Sequence, residues 1–172
     1  MSRRGVASAA LALTVGLCAA GACRSKEMPK RLAADAGAQP AAGSEAATRS
    51  IAQLGAQCDE GKLESCRALG VIHAEGTGVP ADPARARALY EKACTGKLAK
   101  ACNNLGLIYA SGIGVAADPA RAATLYRTAC DGGDPLGCRN LGLMLVEGRG
   151  VPADPAAAAA LFEKSCAAGS AF

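Results

Sequence analysis

A chain of 172 residues is long enough for one domain of ordinary size, and its formal net charge of +4 is modest. With three Tyr, two Phe and no Trp, a core must be built from Leu, Ile, Val and abundant Ala, a composition that favours close-packed helices over sheet. No basic cluster or aromatic platform offers a footprint for nucleic acid, and one histidine, His73, is too few for a multi-histidine metal enzyme.

Residues 1–22 read as an export signal. MSRR gives the basic start, GVASAALALTVGL the apolar stretch, and AAGA the small residues before a cleavage point. Cys23 follows that tract and resembles the lipid-modified cysteine of bacterial lipoproteins. Those lipoproteins usually carry Leu three residues earlier, where Ala20 stands here, and Ala20-Gly21-Ala22 also suits an ordinary signal peptidase. Lipidation at Cys23 is the expected outcome, with a free secreted form as the alternative. Arg24 replaces the Asp that often retains lipoproteins at an inner membrane, which points toward the outer one. Export to the periplasm or outer membrane is therefore expected, and membrane contact only through the lipid. Cys18 leaves with the signal.

Residues 23–50 are rich in Ala, Pro, Gly, Ser and charge without an apolar period, and read as a flexible tether that buries too little apolar area to offset its ordering entropy. That segment carries five basic and three acidic residues. Residues 51–172 balance twelve against twelve.

At residue 51 the texture changes. CRALGVIHAEGTGVPADPARARALYEKA from Cys66 recurs as CNNLGLIYASGIGVAADPARAATLYRTA from Cys102 and CRNLGLMLVEGRGVPADPAAAAALFEKS from Cys138, a period of 36 residues. Such a period means stacked supersecondary units, none of which buries its apolar face alone. The expected organisation of 51–172 is a cap (51–63), resembling the second half of a unit, and repeats at 64–99, 100–135 and 136–170.

Each unit holds two helical patterns. In the middle unit Cys102, Leu105, Ile108 and Tyr109 define one face of the first, which Gly112 and Gly114 break. The second starts at Asp118-Pro119, where Asp can cap the free amides and Pro has no amide to leave unpaired. Ala122, Leu125, Tyr126 and Ala129 form its inward face, and Gly132-Gly133 ends it. Asp82-Pro83 and Asp154-Pro155 repeat the start. The fold class is all-α, a solenoid of helix-turn-helix repeats.

Cysteines stand eight positions apart at Cys58 and Cys66, Cys94 and Cys102, and Cys130 and Cys138. In one continuous helix two such residues are about 12 Å apart along the axis, whereas a disulfide tolerates at most about 7 Å between α-carbons. A bond therefore needs a turn between them, and Thr95-Gly96 or Asp131-Gly132-Gly133-Asp134-Pro135 supplies one. Each pair then staples one unit's second helix to the next unit's first. Zinc is the weaker reading, because metal knuckles favour cysteines two to four apart and an exported chain meets an oxidising compartment. A thioredoxin-type pair is weaker still, since C-x-x-C is absent. Cys166 repeats the first member of the pair and is expected to be left as half a staple.

The combination L-G-x-(I/M)-x-x-x-G-x-G-V-x-x-D followed by A-x-x-L-(Y/F)-x-x-(A/S)-C resembles the Sel-one-like repeat, a relative of the tetratricopeptide repeat. Its cysteines are similar to those of the bacterial subfamily typified by the Helicobacter cysteine-rich proteins. The resemblance implies a right-handed solenoid of paired antiparallel helices, one disulfide per unit, and use mainly in protein-protein contact; no cofactor is expected. Some members of that subfamily carry a penicillin-binding or weak β-lactamase label. The S-x-x-K, S-D-N and K-T-G elements of serine β-lactamases are absent from this sequence, so no catalytic residue is assigned. A hydrolase remains the alternative to a non-catalytic scaffold for a protein or peptide partner.

On the first helix of each unit, 100° per residue turns Asn103 and Leu107 away from Leu105 and Ile108. Stacking should line up Val71, Leu107 and Leu143 as an apolar strip beside a polar column of Arg67, Asn103 and Arg139. That strip is the candidate binding face, and packing against the neighbouring unit is its alternative fate. His73 shares its repeat position with Tyr109 and Leu145 and reads as a partly buried or surface histidine at a variable place, not a metal ligand.

Overall fold

The computed structural model describes residues 45–169. The expected export signal, Cys23 and tether residues 24–44 lie outside the described residues. Seven helices follow one another: α1 (Glu45–Asp59), α2 (Leu63–Glu75), α3 (Pro83–Thr95), α4 (Ala99–Ser111), α5 (Pro119–Asp131), α6 (Pro135–Glu147) and α7 (Pro155–Ala167). Each packs on its neighbours in the chain, and α4 also meets α6 across a unit boundary. The units are α2 with α3, α4 with α5, and α6 with α7.

The second helix of every unit starts as its Asp-Pro requires. Asp82, Asp118 and Asp154 each accept the backbone N–H of the residue three positions on, at 2.9 Å, and Pro takes the first helical place. The first helices end at Gly76, Gly112 and Gly148, all left-handed. The loop then closes by a backbone bond from Asp82 to the carbonyl of His73 at 2.7 Å, repeated from Asp118 to Tyr109 and from Asp154 to Leu145.

The motif glycine is explained by packing. A Cβ at Gly70, Gly106 or Gly142 would stand 2.6 Å from the ring of Tyr90, Tyr126 or Phe162 respectively, so the absent side chain lets each unit's two helices close around an aromatic ring. The main core continues with Leu105, Ile108, Tyr109, Leu141 and Met144. Ala93, Ala101 and the Cys58 and Cys66 pair form a smaller core at the stapled edge.

Helix α1 departs from the expected cap boundary, beginning at Glu45 instead of residue 51 and taking in the last six residues read as tether. Its first turn has a packing role: Ala47 is buried, and Ala47 and Ile51 are the atoms nearest a Cβ built on Gly78. Ala47 stands 36 residues before Pro83 and 72 before Pro119, which meet Gly114 and Gly150 in the same way. Thus α1 takes the place of a second helix in a preceding unit.

Candidate functional site

Three disulfides join Cys58 to Cys66, Cys94 to Cys102 and Cys130 to Cys138, with α-carbons 4.7, 4.6 and 4.4 Å apart. Each bridges the turn between one unit's second helix and the next unit's first. Cys166 departs from the expectation of half a staple: it too is disulfide-bonded.

Helices α2, α4 and α6 repeat one orientation, so their equivalent residues can be compared directly. Leu107 and Leu143 are 43% and 40% exposed, while Val71 is half-buried and packs against the core. The first two line a shallow cleft of about 150 Å³ together with Ala110, Ser111, Tyr126, Asn140, Met144, Glu147 and Arg149. Burial pushes the Tyr126 hydroxyl up to about 12 despite the opposing charge of Arg149, so it stays a neutral hydrogen-bonding group at ordinary pH. Burial also raises Tyr90, which a hydrogen bond with Asn104 and the charge of Arg67 oppose. At the rim Arg149 pairs with Glu147 at 3.7 Å.

The polar column is broken at its middle. Asn103 is only 4% exposed and accepts a 2.9 Å hydrogen bond from the side-chain amide of Asn140. It fastens α4 to α6 instead of facing outward. The two residues are 37 positions apart, one off the repeat register, so alignment of the units hides the pairing. Arg67 is half-buried and pairs with Glu64 at 2.8 Å, and Arg139 is half-buried as well. What remains outward is a pair of leucines with polar neighbours. Asn104 and Asn140, one position after the column, escaped sequence reasoning because nothing in a 100° wheel separates a helix flank facing a neighbour from one facing solvent.

A larger cleft, about 570 Å³, opens elsewhere, between residues 79–85, His73 and Gly114. At the corresponding residues of the middle unit the guanidinium of Arg121 lies 4.1 Å over the ring of Tyr109 and reaches Glu91 of the preceding unit at 3.2 Å. Among the described residues no helix is long and apolar enough to cross a membrane.

The Sel1 repeat pattern matches residues 63–97, 99–134 and 135–170. No curated protein matches the chain. Among solved structures, a protective antigen present in uropathogenic Escherichia coli strains and displaying an SLR fold is 32% identical, with a TM-score of 0.66 over 70% of this chain and 26% of that one. A Sel1 repeat protein from Oxalobacter formigenes is 24% identical, with a TM-score of 0.67 over 72% of this chain and 51% of that one. Helicobacter pylori cysteine rich protein B is 27% identical, with a TM-score of 0.60 over 73% of this chain and 90% of that one. The chain therefore spans about a quarter of the first protein and about half of the second.

Proposed function

The chain belongs to the Sel1 repeat family, whose repeats typically mediate protein-protein contact, and on that premise we propose that it is a non-catalytic scaffold that holds a partner protein or peptide at the bacterial cell envelope. The observation that carries this reading is the pair Leu107 and Leu143, two large apolar side chains about two-fifths exposed at the same repeat position in one shallow cleft. A partner helix or extended segment laid across α4 and α6 would cover both leucines, and Ser111, Asn140, Glu147 and Arg149 would orient it through polar contacts.

Export fits the same reading, since disulfides of this kind persist in oxidising compartments. In the proposal residues 1–22 direct export, and the segment up to residue 44 is a tether that sets how far the scaffold reaches.

The test compares Leu107→Asp together with Leu143→Asp against Ile113→Asp, which alters an equally exposed apolar residue outside the face. Recovery of partners from an envelope extract is measured for each variant at matched thermal stability. The paired change is expected to weaken capture about tenfold or more, the equivalent of about 1.4 kcal/mol. Equal recovery by all forms removes this face from consideration.

A further inference from the structure

His73 sits where Tyr109 and Leu145 sit in the other two units, and Arg85 sits where Arg121 and Ala157 do. Only the first unit therefore places an imidazole, a ring that titrates near neutral pH, at this position beside a cation. The ring is buried, 5% exposed, and neither Nδ1 nor Nε2 has a hydrogen-bond partner among the described residues. The Asp82 carboxylate points to the helix start, where it accepts the backbone N–H of Arg85 at 2.9 Å, and the Asp82 N–H binds the His73 carbonyl at 2.7 Å. From the loop between α4 and α5 the neighbour is Gly114, which brings no charge.

We propose that His73 is an acid-sensitive latch, which holds α2 closed on α3 while its ring is neutral and loosens the first unit, leaving the other two intact, when the ring takes up a proton. An imidazolium there would lose its hydration, gain no acceptor and stand beside another positive side chain. The adjoining cleft, about 570 Å³, gives the charged ring a route to water once the loop of residues 76–82 lifts. Neither tyrosine nor leucine at the equivalent positions can respond in this pH range.

The direction agrees with the electrostatics. Burial first, then Arg85, holds the His73 pKa below its ordinary 6.5, with Asp82 opposing. The folded unit binds the proton less readily than the unfolded one. Its stability is complete above about pH 6.5 and falls as the pH drops through and below that value. The interval from pH 7 to 5 spans the ordinary titration range of the chain's one histidine.

Hydrogen exchange on the whole chain at pH 7 and pH 5, corrected for intrinsic rates, tests the latch. Protection in α2 and α3 is expected to fall by up to about tenfold per pH unit below 6.5 until the folded pKa is reached, while α5, α6 and α7 keep theirs. His73→Leu and His73→Tyr, which copy the other units, should abolish the difference. A uniform loss of protection, or the same loss in both variants, overturns the proposal. Should either variant fail to fold, the wild-type ring decides the matter: as the only histidine, it gives a single NMR titration, and a midpoint at or above 6.5 overturns the latch.

Discussion

The two edges of this solenoid connect the same helices by opposite means. On one edge each unit passes to the next through a short turn closed by sulfur, and the α-carbons that it joins lie within 4.7 Å. On the other, the G-x-G-V loop of one unit is pressed against the first turn of the preceding unit's second helix. There the fit tightens along the chain. A Cβ added at Gly78 would meet Ala47 at 3.5 Å, at Gly114 it would meet Pro83 at 2.7 Å, and at Gly150 it would lie 2.3 Å from the carbonyl carbon of Pro119. The stapled edge acts on the unfolded chain by shortening its loops, whereas the glycine edge acts on the folded one by steric fit. Two edges of one rod should therefore fail under different treatments.

The largest effect is expected from reductant. Each staple closes a loop of nine residues and contributes about 2.5 kcal/mol in the chain-entropy account, against a total stability of about 5–15 kcal/mol for a typical domain. Reducing all the staples should collapse cooperative thermal unfolding, which circular dichroism at 222 nm reads directly; an unchanged midpoint would mean that the glycine edge alone holds the units. Next comes Gly150→Ala, expected to cost about 3 kcal/mol in chemical denaturation because the methyl overlaps a neighbouring backbone at φ +74°. Gly78→Ala, with ordinary contacts, isolates the backbone part at about 1 kcal/mol, and equal losses at the two sites would refute the graded fit. The smallest effect lies on the stapled edge and has the opposite sign. Lys97 holds φ +70° where Gly61, Gly133 and Gly169 hold +87° to +89°, so Lys97→Gly should gain about 0.5 kcal/mol.

Much of this was legible in the residues. Period 36, the Asp-Pro helix starts and the cysteine spacing led to seven helices with staples between units, because each of those signals acts within a few residues of itself. Leu107 and Leu143 were legible as outward for the same reason, helical periodicity being local. Other features were not. The extension of α1 to Glu45 depends on Ala47 fitting beside Gly78, a contact made thirty-one residues away. Asn103 looked outward on a wheel and is buried by α6. His73 looked like an ordinary variable position, and its two ring nitrogens are enclosed without hydrogen-bond partners among the described residues.

The amino-acid sequence by itself determined the helices, their caps, the repeat and the places where sulfur could bridge, since backbone propensity, capping and loop closure are properties of short stretches. Tertiary structure alone decided which polar groups are enclosed at the junctions between units and which apolar ones stay in water. Burial is a property of surfaces brought together from separate helices, up to thirty-seven positions apart in the Asn103–Asn140 pair, and a short window along the chain does not contain both sides of such a contact.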